Sequence, residues 1–445
     1  MLRRLIRKLI DNAVLQLVHS HFVPEAISHS PLFREMQDTS NLLLRQTTQP
    51  ERPVRVVFLA YDGSCWSATL PVVRALMNDS RFRVTVVSLP HRHGDQTTAR
   101  QQFHGEGAVH EMLDRQSIPH LRIGDSQVAC ASHVLKKLRP HYIFRQRPWR
   151  TDLPIDLDGR ALTFARVCYI PYGYMTAGFE DLQFNSEFHQ ICDLMFWPDE
   201  IHRTMAIEHG LGDARRSVVT GYPKFDYLCG VTEQLWPVRI HSPTAKPFRL
   251  IWAPHWTVSD QGVRDTFGMR YGAFHQLYPE IMRLARCHPF LQITMRPHPI
   301  LMQRMECARP GSAYADFLTE WDKLPNCAVS REPDYGPLFR ASDGLLTDCL
   351  SFLTEYQLFE KPLVFFRRSD SMQFNRAGKR IVGGLYTIQN PAEIEPLLLR
   401  LAKGEEQSQI VEERRRVVRS IYPYPGEAAS RIADELIRRL DAEMP

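Results

Sequence analysis

Three short polar clusters, each placed directly after an apolar run, hold the residues best suited to chemistry. They are Pro254–His255–Trp256, Arg296–Pro297–His298–Pro299, and Thr347–Asp348 followed by Ser351. Imidazole, guanidinium and hydroxyl groups gathered in this way suit an anion, above all a diphosphate. A histidine can donate a hydrogen bond to developing charge or protonate a leaving phosphate. His298 lies between two prolines, which restrict the backbone and so the direction of its ring. Ser351 falls one turn into an amphipathic segment, where free N–H groups attract phosphate. Asp348 and Ser351 can equally serve only to cap that segment. Any one of these histidines could be structural; three such loops together carry the argument.

The loops are useful only if the chain brings them to one edge. The stretch Ala341–Phe366 reads as strand (Gly344–Leu346), loop, helix and strand (Leu363–Phe366). Arg249–Ala253, Leu291–Met295 and Asn326–Val329 read as further strands, and Tyr271–Arg286 as a helix. Upstream, Val54–Ala60 is a central-strand signal, followed by the loop Tyr61–Asp62–Gly63–Ser64 and a helix over about 67–77. Strands are expected at Phe82–Leu89, Leu121–Ile123, Tyr142–Arg145, Arg166–Pro171, Leu194–Trp197 and Ser217–Gly221. Strands alternating with helices predict α/β sheets with parallel strands and right-handed crossovers. Parallel strands end on the same side, so the three loops should share one edge of the second sheet, where ligands bind. The first unit lacks G-x-G-x-x-G, so nothing supports a dinucleotide site there.

The prolines and polar residues of 231–247 break this rhythm and read as a linker. The expected division is 1–52 (a basic amphipathic helix and linker), 53–230, 231–247, 248–404, and 405–445 (charged helices). Two α/β domains would enclose a cleft between them.

Composition narrows the partners. A net charge of +5 over 445 residues is too small to argue for nucleic acid. Nine cysteines occur without a C-x-x-C pair, which suits a reducing compartment and predicts no structural metal site. No run is apolar enough to span a membrane. Residues 1–22 place Leu2, Leu5, Ile6, Leu9 and Ile10 on one helical face, with Arg3, Arg4, Arg7 and Lys8 mostly elsewhere. Such a helix can lie in an anionic membrane interface or dock on the protein's own surface. Charges interrupt its apolar stretch and no cleavage site follows, so no signal peptide is expected.

Several pieces, in order, resemble one family. They are Gly221-Tyr-Pro-Lys-Phe-Asp226, Ala253–Pro254, Arg296-Pro-His-Pro299, Ser342–Asp343 through Thr347–Asp348, Ser351, Glu360-Lys-Pro362 and Gly426-Glu-Ala-Ala-Ser-Arg-Ile432. This set resembles the CDP-glycerol glycerophosphotransferases, the teichoic-acid polymerases and primases, over roughly residues 165–440. The resemblance implies a GT-B architecture of two Rossmann-like domains, with the nucleotide donor in the C-terminal one. It implies a transferase without a cofactor, in which an acceptor hydroxyl attacks the phosphorus attached to glycerol and CMP leaves.

Residue by residue, the resemblance makes His298 the donor-binding, catalytic histidine. It puts Thr347, Asp348 and Ser351 on the donor's phosphates and glycerol, and the nucleotide near Pro254–His255 and Tyr335–Leu338. Arg296, Arg367, Arg368, Arg376 and Lys379 could add positive charge. One departure stands out. The family's Trp-His-Gly-Thr motif, whose histidine is the proposed general base, corresponds here to Ile170-Pro-Tyr172-Gly-Tyr174. Tyr172 would take the histidine's place, although a phenol with a pKa near 10 is a poor base. Asp62 and His255 are the possible substitutes. The implied partners are a CDP-linked polyol donor and a glycan or lipid-linked acceptor, met on the cytoplasmic face of the cell membrane during envelope polysaccharide synthesis. A GT-B glycosyltransferase using a nucleotide sugar, or a non-catalytic nucleotide- or glycan-binding member, is the alternative.

Overall fold

The structure is a computed structural model. It describes residues 53–92, 103–149, 152–158, 161–162, 164–210, 214–238, 246–257, 270–309 and 311–442. The basic N-terminal helix expected within 1–22 lies outside these residues.

Fifteen strands occur among the described residues. Those of the first half are β1 (Val54–Ala60), β2 (Phe82–Ser88), β3 (His91–Arg92), β4 (Phe103–His104), β5 (His120–Arg122), β6 (Tyr142–Arg145), β7 (Arg166–Tyr169), β8 (Leu194–Trp197) and β9 (Ser217–Val219). Those of the second half are β10 (Phe248–Ala253), β11 (Leu291–Met295), β12 (Cys327–Val329), β13 (Gly344–Thr347), β14 (Leu363–Phe366) and β15 (Tyr386–Ile388). β3 and β4 form a separate antiparallel ribbon. The remaining strands build two all-parallel sheets, ordered β5-β2-β1-β6-β7-β8-β9 and β12-β11-β10-β13-β14-β15.

Each sheet follows the doubly wound pattern, in which the first strand lies inside and the order reverses beside it. In the first sheet β1 lies between β2 and β6; in the second, β10 lies between β11 and β13. The central strands are apolar throughout because helices cover both faces. Only Arg55 of β1 is not fully buried, and all four residues of β13 are. Register is tight around the second reversal, where Leu250 pairs with Gly344 and Ala253 with Thr347. Gly344 must be glycine because the ring of Phe248 lies 2.9 Å from where a Cβ would stand.

Expected and observed elements agree closely in the central strands and less at their margins. The helix expected over 67–77 is a 3-10 turn, Gly63–Ala68, and then a helix, Leu70–Met77, with Pro71 in its first turn. The amphipathic segment after Ser351 is a short helix, Leu350–Glu355, that tightens to 3-10 at Tyr356–Phe359. β15 was not foreseen. Cys65, Cys168, Cys192 and Cys349 are buried thiols, while Cys130, Cys229, Cys287 and Cys307 are exposed.

The C-terminal helices do not form a unit apart. Ser408–Ile421 packs beside the second sheet, against the 3-10 turn Val382–Gly384. Ala428–Asp441 returns to the first sheet and lies on the helix Leu70–Met77. There the Tyr142 hydroxyl donates to the Leu436 carbonyl at 2.9 Å.

Three sets of contacts fix the two halves together. Ala177 and Phe374 form an antiparallel bridge, and Asn375 donates to the carbonyls of Thr176 and Met175. Asp226, at the end of the Gly221–Asp226 motif, accepts from the Tyr422 hydroxyl and from the N–H groups of Gly426 and Ala428. Lys224 of the same motif pairs with Glu355 at 2.7 Å, both side chains buried. Gly221 opens the motif at φ +84°, a conformation glycine adopts without strain.

Candidate active site

The loops after β10, β11 and β13 meet at one edge of the second sheet. The His298 N–H donates to the Pro254 carbonyl at 3.1 Å, and the Arg296 N–H to the Trp252 carbonyl at 2.7 Å. The rings of His255 and His298 lie with centroids 5.5 Å apart, and Trp256 flanks both. Pro254 is buried behind them.

Hydrogen bonds fix both imidazole tautomers. His298 caps the helix Pro299–Glu306, its Nδ1 accepting from the Ile300 N–H at 3.2 Å. The neutral ring therefore carries its proton on Nε2. In His255, Nδ1 lies 2.9 Å from the Thr257 hydroxyl and 3.3 Å from the Thr257 N–H. That hydroxyl oxygen already accepts from the N–H groups of Tyr271 and Gly272, so its own hydrogen points to Nδ1. His255 also carries its proton on Nε2. Burial holds both rings neutral: it lowers His298 to about 4, with Arg296 adding to the effect, and puts His255 well below the usual histidine range. Two neutral N–H donors result. His255, buried and locked in this form, presents an N–H and not the free lone pair that a possible substitute base would need.

Thr347 and Asp348, expected on the donor's phosphates, are turned inward. The Thr347 hydroxyl donates to the Ala253 carbonyl at 2.6 Å and accepts from the Cys349 N–H at 2.9 Å. Asp348 accepts from the His255 and Ala273 N–H groups, each at 2.6 Å. Burial pushes its carboxyl up to about 7, against the pull of those two N–H groups. Both side chains fasten the loops that carry the histidines. Ser351 is exposed in the first turn of its helix.

Arg296 is also committed, to the carbonyls of Ser330 and Pro333, with its guanidinium over the Tyr335 ring. Tyr335 donates to Glu355 at 2.5 Å. Of the other cations expected to add charge, Arg367 bonds Gln373, Arg368 pairs with Asp370, and Arg376 with Glu208.

The first sheet supplies the opposite wall. Asp62 follows β1, and its charge is felt at His298, where it favours the imidazolium. Asp62 accepts from the Ser64 N–H and hydroxyl and pairs with Arg147 at 2.7 Å. Burial alone would raise its carboxyl; Arg147 and Ser64 outweigh that and hold it below the usual carboxylate range. Arg147 also forms an ion pair with Asp152 at 2.9 Å. Gln146 fixes the loop, accepting from the N–H groups of Tyr61 and Asp62 and donating to the Asp62 carbonyl.

Tyr172 belongs to this wall, its ring against Trp149 and its phenol within range of Arg147 and Asp152. Burial raises the phenol above its ordinary value, the wrong direction for a base. The signal for Arg147 and Gln146 was present, since Arg145-Gln-Arg147 follows an apolar strand as the three loops do. Asp152, in an irregular segment, carried none.

Known proteins bear out the architecture. A search of curated proteins finds no match. Among solved structures, a wall teichoic acid polymerase, TagF, in a histidine-to-alanine variant aligns with a TM-score of 0.56 at 15% identity, covering 93% of this chain and 96% of that one. UDP-GlcNAc 2-epimerase from Neisseria meningitidis, bound to UDP-GlcNAc, aligns at 0.58 and 16% identity, covering 86% and 99%. MnaA of S. aureus with UDP aligns at 0.59 and 14% identity, covering 87% and 97%. At these identities the likeness shows the fold, a GT-B pair of Rossmann-like sheets. The family model described as CDP-Glycerol:Poly(glycerophosphate) glycerophosphotransferase matches residues 174–438, which take in the whole second sheet. The chain belongs to that family of transferases, which move glycerophosphate from a nucleotide-linked donor to a growing envelope polymer.

Proposed function

We propose that this chain transfers glycerol phosphate, or a similar polyol phosphate, from a CDP-linked donor to a hydroxyl of a glycan or lipid-linked acceptor. The donor's diphosphate would meet the Nε2–H groups of His255 and His298, with the exposed Ser351 hydroxyl beside them. Asp62 would accept a hydrogen bond from the incoming hydroxyl and align it with phosphorus. The observation that carries this reading is that the ionised Asp62 carboxylate acts across the cleft on His298, a neutral imidazole donor with His255 beside it.

The chemistry is consistent with these groups. Phosphoryl transfer through a loose transition state depends on position and charge stabilisation more than on a strong base. A carboxylate held ionised by Arg147 is a weak base and a good orienting acceptor. His298, neutral when the site is empty, gains reason to bind a proton once a diphosphate lies against it. It can then protonate the departing CMP. Thr347, Asp348 and Arg296 act one step back, fixing the loops. Tyr172 fills the position of the family's histidine without its function.

The test is a donor panel of CDP-glycerol, CDP-ribitol, UDP-sugars and GDP-sugars, read by nucleotide release with a lipid-linked acceptor. CMP should appear from a CDP-polyol, and His298→Ala should lower the rate at least 100-fold. Turnover of a UDP- or GDP-sugar instead, or an unimpaired His298→Ala variant, would overturn the reading.

A further inference from the structure

On the far side of the first sheet's margin, two histidines and a carboxylate, His110, His120 and Asp114, bring ligand atoms together. His110 lies on the helix Glu106–Arg115, and His120 opens β5. The turn between them is drawn tight by bonds from the Ser117 N–H to the Asp114 carbonyl and from the Ile118 N–H to the Leu113 carbonyl. Ser117 takes φ +56° to make it, a left-handed conformation unusual for a serine. His120 is thereby folded back over the end of the helix.

The hydrogens can be counted. His120 Nδ1 is 2.8 Å from the Ile118 carbonyl, which can only accept, so that nitrogen carries a hydrogen. His110 Nε2 is 3.3 Å from the Asp114 carboxylate, an ion-pair distance, so the single hydrogen of a neutral His110 can sit on either nitrogen. A neutral imidazole has a single N–H. His110 Nδ1 and His120 Nε2 stand 2.9 Å apart; with its hydrogen on Nδ1, His110 donates to His120, and with it on Nε2 two lone pairs face each other. The His110 tautomer with Nε2–H toward Asp114 leaves both facing nitrogens with lone pairs free for a metal ion.

We propose that His110 Nδ1 and His120 Nε2 bind a divalent cation of the zinc class, with Asp114 and the Ile118 carbonyl orienting the rings from behind. Ligand atoms of His110, Asp114 and His120 lie within 4.8 Å of one another. Imidazole ligands with an oxygen acceptor on the second nitrogen are the usual support of such ions. Two nitrogens on one tetrahedral zinc are about 3.3 Å apart, so the pair must open by about half an ångström and each ring turn to aim its lone pair at the ion. The site also sits at a helix C-terminus, whose carbonyl end favours positive charge. Water would fill the other positions. Met112 and Gln116 of this helix wall a cavity of about 200 Å³ between the two halves, with Ser64, Trp66, Tyr227 and Asp334. The ion would therefore brace one wall of the cleft and take no part in the transfer.

The experiment uses the full chain, stripped with EDTA, desalted and titrated with zinc chloride at pH 8 against a chromogenic chelator. One zinc per chain with a micromolar Kd is expected. His120→Ala should weaken it at least 100-fold, and Asp114→Asn about tenfold. Equal stoichiometry and affinity in His120→Ala would overturn the proposal. A second measurement needs no variant: carbethoxylation of histidines, mapped by mass spectrometry with and without zinc. Protection should be strongest at His110 and His120; unchanged labelling of both would leave the pair as a plain hydrogen bond and refute the metal.

Discussion

Replacing Lys224 by methionine tests whether the two halves are held in the orientation that sets Asp62 against His298. Its ammonium lies 2.7 Å from Glu355 Oε1, with 4% of the lysine and none of the glutamate exposed. Burial works against the ammonium, but Glu355 outweighs it and holds the lysine's pKa above its ordinary value. Lys224→Met leaves Glu355 buried with only the Tyr335 hydroxyl as partner. Removing one member of such a pair costs about 3–5 kcal/mol. The retained tyrosine bond argues for the lower end, about 3 kcal/mol. Replacing both, Lys224→Met with Glu355→Leu, removes the stranded charge and leaves only the Tyr335 hydroxyl unpartnered, a cost of about 1–2 kcal/mol. The double variant should thus be more stable than Lys224→Met alone by about 1–2 kcal/mol. Urea unfolding at pH 7.5, followed by tryptophan fluorescence, measures the cycle. A double variant no more stable than Lys224→Met would mean that no buried charge was stranded, and the account of this interface would fail.

Other outcomes follow from the site. Asp62→Asn should lower kcat by about 100-fold or more while leaving the donor KM within a few-fold, and Tyr172→Phe should change kcat by less than about threefold; steady-state kinetics on the two variants would reject the assignment if their order were reversed. Asp348 has a folded pKa of about 7, above its unfolded value near 4, so the folded state binds the extra proton between those limits. Its contribution to stability is greatest at acid pH and is lost as pH rises to about 7. Between pH 5.5 and 7 the unfolding free energy should fall by about 1.6 kcal/mol more in the native chain than in Asp348→Asn, and parallel curves would show that this carboxyl does not titrate there. Deleting residues 1–22 should shift protein from the membrane to the soluble fraction with the far-ultraviolet circular dichroism of the rest retained; unchanged partitioning would dismiss the membrane-surface role.

The sequence made the central strands plain and their long-range partners obscure. β1, β11 and β14 are short unbroken apolar runs because both faces of each sheet are covered, and that pattern survives without context. β15 escaped notice because three residues with Thr387 exposed make almost no pattern. The loops of His255 and His298 were legible as polar residues after strands. What those residues bond was not: Thr347 and Asp348 have the composition of a phosphate site, yet spend their oxygens on the backbone of 253–273. Lys224 and Glu355 are 131 positions apart, and no local spacing announces such a pair. The tautomers of His255 and His298 depend on Thr257 and Ile300, neighbours whose roles appear only once the loops have shape.

The return of Ala428–Asp441 to the first sheet means that the chain passes between the halves twice, at 231–247 and again near Tyr422–Gly426. A door hung on two pins swings about a single axis. Motion that widens the mouth between Asp62 and His298 is thereby restricted to a pivot about the line joining the two passages, and sideways slip is opposed. A lone protease cut within 239–245 would leave the C-terminal fragment still docked on the first half through Ala428–Asp441.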